Sequence, residues 1–338
     1  MAGEIQGQDI LHHTVERINT KLPAAVKVIL PDGDEDCPRQ HTVLRHLYKQ
    51  EFEAMKASVQ PASRARLIAY SSPGAGRWQH AIPSKTIDRY LSDGEVAITL
   101  SLQLGVDVYD RVCSCRFCGA VLDTKGVHSI LCTGGGDTVL RHNDVRDIVY
   151  SFCRRGQLRP VLEKAGILQE PGVLIDLRRP ADVLVSGLRS HGGQDRAEIS
   201  QRTALDIKII NALGQGHYEE TLQGPNVAAA AYREQQNSHQ QTGTRCAARG
   251  IQYEPMVFTA QGGCEARAES IMNQIVQAVG DAEGISKAVI KADFMEQISF
   301  SIARSVARAV ARRTPPQMQP AARSIRRIVA ESGGALEW

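Results

Sequence analysis

The chain has few aromatic residues: 2 Trp, 8 Tyr and 6 Phe in 338 residues. That scarcity argues against a platform of exposed rings on which many bases stack. No stretch approaches the roughly 20 consecutive apolar residues that a membrane-spanning helix needs. The first twenty residues carry acids and contain no apolar core of the kind a secretory leader has, so an intracellular location with no membrane partner is expected. Neither sign of charge dominates, since 40 Lys and Arg stand against 37 Asp and Glu. Any binding of a polyanion must therefore come from local patches and not from bulk charge. Apolar residues make up 42% of the chain, enough for a real core and, at this length, for two domains or one large domain with extensions.

Cysteine is unevenly distributed. Cys113, Cys115, Cys118 and Cys132 fall within twenty residues, whereas Cys37, Cys153, Cys246 and Cys264 are isolated and read as small buried hydrophobes. With His128, the cluster reads C-x2-C-x9-H-x3-C over Cys115, Cys118, His128 and Cys132. In a reducing compartment this is metal-ligand spacing. Two thiolates two residues apart grip one ion from a tight turn, and a His and a Cys four apart on one helical face close the tetrahedron, so structural Zn²⁺ is expected. Cys113 offers a third thiol for two positions, and the C-x2-C turn is the better geometric choice. Two unrelated cysteine pairs are the plain alternative.

Periodicity organises the rest. A helix is expected over 42–59, with Leu44, Leu47, Phe52 and Met55 near helical spacing, and SSPGAG (71–76) reads as a linker. The acidic turn at 31–37 departs from a calcium loop and reads as solvated. A short helical unit spans 84–104, with Ser84 or Thr86 as possible caps. A helix over 138–155 carries the stripe Val145, Ile148, Val149, Phe152, with Arg141, His142 and Arg146 outside it. Strand signals follow at 172–177, 181–185, 203–210 and 251–260, with helices at 226–241 and 265–279. Together these make a mixed α/β core. A long helix over 285–313 bears Phe294, Met295, Ile298, Ile302, Val306 and Val310 on one face, and Arg304, Arg308 and Arg312 on another. That arginine row either tracks phosphates or is a solvated or snorkelling face. The expected domains are a helical and loop extension (1–80), a helical unit with the zinc loop (81–137), the α/β core (138–282), and a basic helix and tail (283–338).

The strand TALDIKII carries two charges. Side chains alternate along a strand, so Asp206 and Lys208 share one face while Leu205, Ile207 and Ile209 take the other. If the strand beginning at Asp182 is its neighbour, Asp182 and Asp206 can hold one Mg²⁺ or Mn²⁺ between them. Such an ion suits phosphodiester hydrolysis, with Lys208 orienting the attacking water or stabilising developing charge. Glu163 is favoured as a third carboxylate over Glu170, Asp144 and Asp147. An ordinary Asp–Lys pair on a sheet face is the alternative. Arg141, His142 and Arg146, with Arg178 and Arg179, are placed to clamp phosphates, or else form a partly solvated face.

These residues bear a resemblance. CSCRFCG, D-x4-HSILC, RHNDVRD, RRPADVLV, ALDIKII, PMVFTAQGG and the LxLGV run resemble the zinc knuckle and restriction-like endonuclease region at the C-terminal end of non-LTR retrotransposon polyproteins, over roughly 85–280. The resemblance implies a restriction-endonuclease-like PD-(D/E)xK fold, that is, a mixed sheet flanked by helices, preceded by a CCHC zinc loop and a helical N-terminal segment. It also implies zinc on Cys115, Cys118, His128 and Cys132, and metal ligands Asp182 and Asp206 that nick DNA to leave a 3′-hydroxyl for priming reverse transcription. DNA, the element's RNA, and a reverse-transcriptase partner or parent polyprotein are the partners implied, in the nucleus. Many relatives place the active-site Lys on the following helix, yet 226–241 contains no Lys, and Ala181 stands where the general motif has Pro. The chain has no aromatic-x-Asp-Asp quartet of a polymerase, so it reads as a fragment, a truncated element or a separately encoded descendant. A non-catalytic nucleic-acid-binding module of the same fold is the alternative function.

Overall fold

A computed structural model describes residues 12–22, 24, 27, 40–169, 179–188 and 202–314. The acidic turn at 31–37, the strand expected at 172–177, Glu170, Arg178 and the tail beyond 314 lie outside the described residues. The chain divides into two compact units, Met1–Arg64 and Ala65–Trp338. In the first, a helix spans 12–19 and helix α1 covers Gln40–Ser58, close to the expected bounds. Leu44, Leu47 and Phe52 are half-buried, but Met55 is exposed.

The second unit opens on the last turns of α2 (Pro61–Tyr70), where Ala65, Ile68 and Ala69 are buried. The segment 71–76, expected as a linker, is instead packed. Ser72 is buried, Pro73 O accepts from Cys264 N at 3.0 Å, and Gly74 has φ +89°. A Cβ on Gly74 would lie 3.0 Å from Gly262 O, so turn chemistry and not flexibility explains the glycine. The boundary between the two compact units falls at Arg64/Ala65. Helix α3 (Asp93–Leu104) is capped by Ser92, in a reciprocal box with Glu95. Ser84, expected as a cap, bridges to Arg89 instead.

A hairpin of β1 (Cys113–Ser114) and β2 (Val121–Leu122) leads into the short helix α4 (Val127–Leu131) and then α5 (Asp137–Arg155). The main sheet has four strands in the order β3 (Val161–Leu162), β4 (Val183–Ser186), β5 (Arg202–Ile210), β6 (Ile251–Thr259). The β3/β4 and β4/β5 pairs are antiparallel, and β5/β6 is parallel. Parallel neighbours need a crossover. Here it is made by α6 (Tyr218–Gln223), α7 (Val227–Ser238) and α8 (Thr242–Ala247). Helices α9 (Ala266–Glu283) and α10 (Lys287–Arg313) complete the unit. The unit is thus mixed α/β with a mixed sheet. Among the described residues no helix is long and apolar enough to cross a membrane.

The two sheet faces are covered differently. Leu205, Ile207, Met256 and Phe258 pack with α5, α9 and α10 in the main core, where Phe152 and Phe294 stack with ring centroids 4.1 Å apart. On the other face the apolar cover is broken in two. Ala204 and Ile251 pack with Cys246 of α8, and Ile210 and Val257 pack with Ala228 and Ala229 of α7. Asp206 and Lys208 fall between these clusters. The apolar row of α10 from Phe294 to Val310 is wholly buried, as its spacing predicts, so this helix is core and not an appended basic arm. Phe294→Ala is expected to cost about 3–5 kcal/mol. Urea unfolding of variant and parent measures it, and a loss below about 1 kcal/mol would remove α10 from the core.

Candidate functional site

The cysteine–histidine cluster is built by a hairpin and a one-turn helix. Cys115 N–H donates to Ala120 O at 2.7 Å, and Gly119, at φ +73°, turns the chain so that its N–H reaches Cys115 O at 2.8 Å. Asp123 caps α4, accepting from Val127 N at 3.0 Å and His128 N at 2.8 Å, which fixes where the His128 ring starts. The four ligand atoms of Cys115, Cys118, His128 and Cys132 lie within 4.8 Å of one another. Cys115 Sγ is 3.9 Å from Cys132 Sγ, Cys118 Sγ is 3.6 Å from Cys132 Sγ, and Cys118 Sγ is 3.3 Å from His128 Nε2. Zn–S bonds of about 2.3 Å in a tetrahedron put sulfurs about 3.8 Å apart, so the donor set and its spacing fit zinc. Burial pushes the Cys115 thiol up, but the Phe117 and Cys118 N–H groups and His128 outweigh it and hold the thiol at about 6. The thiolate is the form that binds metal. Cys113 lies outside the cluster and packs on the main core, which resolves the choice among the three neighbouring thiols.

This loop is bolted to both long helices. Arg313, fully buried, pairs with Asp137 at 2.6 Å and donates to Gly134 O at 2.6 Å and Cys132 O at 3.2 Å. The Phe117 ring sits 5.0 Å from the Arg313 guanidinium and 5.2 Å from that of Arg312. Arg141, expected to contact phosphate, is only 3% exposed and donates to Ile130 O. It stands one turn before Val145 and extends the buried stripe of α5, so its guanidinium braces the loop and cannot meet a nucleic acid. Burial holds it down at about 10.

The second constellation gathers on β5. Val183 pairs with Leu205, and Asp182 N donates to Leu205 O at 2.9 Å, so the strands carrying Asp182 and Asp206 are neighbours, as the sequence reading required. Lys208 Nζ is 2.8 Å from Asp206 Oδ1, on the shared face expected from alternation. Tyr253 of β6 donates to Asp206 Oδ2 at 2.6 Å. Asp182 Oδ2 accepts from Ile207 N at 2.7 Å and lies 3.0 Å from His142 Nε2. Burial raises the Asp206 carboxyl, and its partners Lys208 and Tyr253 only partly oppose that. Asp182 is lowered: burial pushes it up, but His142 and the Ile207 N–H outweigh it. The bond to Asp182 in turn raises His142. Lys208 is raised because Asp206 outweighs its desolvation.

Around this centre, Arg146 pairs with Asp147 at 2.8 Å and with Glu163, whose other oxygen holds Arg179 at 2.6 Å. Glu163, expected as a third metal ligand, is therefore engaged by two guanidiniums. Among the described residues the cysteine cluster is the one group of three or more potential ligands with its donor atoms in mutual reach. The arginine row of α10 is also internally paired, with Arg304 on Asp88 at 2.7 Å, Arg308 on Glu95 at 2.9 Å and Arg312 on Asp137 at 2.6 Å. Tyr253 was not singled out in the sequence. Its two-residue offset from Pro255, the register partner of Asp206, becomes meaningful only once β5 and β6 are known to run parallel.

A scan against protein-family models and a search of curated proteins both return no match. Purified protein is expected to hold one zinc per chain, and Cys132→Ser to lose it. Elemental analysis of both proteins decides this, and a metal-free parent purified under reducing conditions would refute the assignment.

Proposed function

We propose that the second unit is a metal-dependent endonuclease of restriction-like fold that nicks DNA by phosphodiester hydrolysis. The observation that carries this reading is the meeting of Asp182, Asp206 and Lys208 on two adjacent strands, with His142 against one carboxylate. Two carboxylates in reach of each other, one of them 6% exposed, are costly without compensation. Hard oxygen donors of this kind fit Mg²⁺ or Mn²⁺. Asp182 and Asp206 would hold the ion, which when bound supplies an activated water and charge neutralisation. Lys208 stabilises charge on the phosphate. His142 orients Asp182 as it does here, and Tyr253 holds the Asp206 carboxylate plane. Arg146 and Arg179 take the DNA backbone. The zinc loop is a staple that fixes α4 to α5 and α10. On this reading the chain is a retrotransposon-type target-site nuclease acting in the nucleus, with DNA as substrate and with element RNA and a reverse transcriptase, separate or in a parent polyprotein, as partners.

A second reading, a binding module of the same fold without turnover, is favoured by one observation. Both Asp206 oxygens are already engaged, by Lys208 and Tyr253, and Asp182 Oδ2 accepts two bonds. Supercoiled plasmid distinguishes the two. Incubated with Mg²⁺ or with Mn²⁺, the parent is expected to convert it to the nicked circle, and Asp206→Ala to lose at least about a hundredfold in rate. Plasmid retardation without nicking, equal in parent and variant, would replace the nuclease by the binding module.

A further inference from the structure

Glu163 stands at an unusual place. Its backbone is left-handed, at φ +44°, in a stretch where Gln157 (φ +55°) and Arg159 (φ +48°) are left-handed too. Non-glycine residues hold that conformation at a cost. Its N–H is fixed to Asp182 O at 2.9 Å, so the strained residue is tied directly to the segment bearing an acidic ligand. Its two carboxylate oxygens are divided between two arginines from different parts of the fold: Oε1 to Arg146 of α5 and Oε2 to Arg179, at 2.6 Å, just before β4. The Glu163 side chain is 40% exposed, Arg179 is 56% exposed and Arg146 is 13% exposed. Among the described residues that carboxylate pairs with no other cation. Arg146 lies close enough to Asp182 to feel its charge.

Ion pairs to a carboxylate as exposed as that of Glu163 are screened by solvent and stabilise a fold little, so stability alone is a poor reason to hold a strained Glu here. Two guanidiniums, each giving one nitrogen to a different oxygen of one anion, are, however, an arrangement that a phosphodiester can take over. We infer that Glu163 is an internal stand-in for a DNA phosphate. In the free protein it holds Arg146 and Arg179 together beside the acidic pair, and it yields them to a backbone phosphate on binding. Glu163 is then a gate on the phosphate subsite and not a metal ligand. The inference rests on the DNA-directed reading above and adds the residue that competes with the substrate.

The test is binding, which needs no turnover. Anisotropy of a labelled DNA duplex, without added divalent metal, is measured over a salt series for the parent, Glu163→Gln, Asp147→Asn and Glu163→Gln/Arg179→Gln. Glu163→Gln is expected to bind roughly three- to tenfold tighter at about 0.1 M salt, with a log–log salt slope steeper by about 1. Asp147→Asn removes an equal charge from the same arginine outside the gate and should gain less, and the double variant should lose the gain. A parent that binds DNA while Glu163→Gln binds equally or more weakly overturns the gate and leaves the nuclease reading intact. A gain in Asp147→Asn as large as in Glu163→Gln also overturns it, since bulk charge would then suffice. If no variant binds at low salt, the gate and the DNA-directed reading both fall.

Discussion

Strand β5 is buried on both faces and still carries an Asp and a Lys, and much of the second unit is arranged around that conflict. A lone charge in such a strand would be disfavoured by several kcal/mol. The fold answers in three ways. It places Lys208 two residues from Asp206 so that they share a face, it brings Tyr253 alongside through the parallel pairing with β6, and it opens the apolar cover of that face at the charged pair. Asp182 is handled likewise, by a backbone N–H of β5 and by His142 from α5. Each carboxylate thus has a cationic or hydrogen-bonding neighbour within the protein.

The cysteine–histidine loop solves a different problem. At twenty residues with two short strands and a one-turn helix it has little core of its own, and small modules of that size need a metal or another staple. Here a buried arginine ties the cluster to the helices. Arg313 reaches from the last turn of α10 to the carbonyls of Cys132 and Gly134 while pairing with Asp137, the first residue of α5. The metal-ligand turn, the start of α5 and the end of α10 therefore share one buried guanidinium. Breaking such a pair from one side leaves an uncompensated charge, which gives the loop its register against the two helices.

Much of this was legible in the residues, and the failures have a common cause. The apolar rows of α5, α9 and α10 follow from period alone, because one face of each helix is buried against a continuous core. The C-x2-C-x9-H-x3-C spacing picked out four side chains that the fold does bring together, because they lie close in sequence. Missed were the features set by distant partners. Arg141 looked like a surface arginine until Ile130 covered it, and the arginine row of α10 looked free until Asp88, Glu95 and Asp137 met it. Glu163 looked like a metal ligand until Arg146 and Arg179 took both its oxygens. One miss was local: Ser92, with Glu95, caps the helix where Ser84 or Thr86 was expected to.

The parallel pairing of β5 with β6 has a kinetic consequence. Asp206 and Tyr253 are 47 residues apart, His142 and Asp182 are 40 apart and Ile207 and Asp182 are 25 apart, so of the contacts that tame the acidic pair only that of Lys208 with Asp206 is local. Loop closure must precede the other three. A chain that has not yet docked β6 lacks the Tyr253 hydroxyl against Asp206. The Asp206 side of the charged centre is therefore complete only once the crossover closes. A break in the crossover between Ile210 and Ile251 would loosen the hold of Tyr253 on Asp206 without touching either residue.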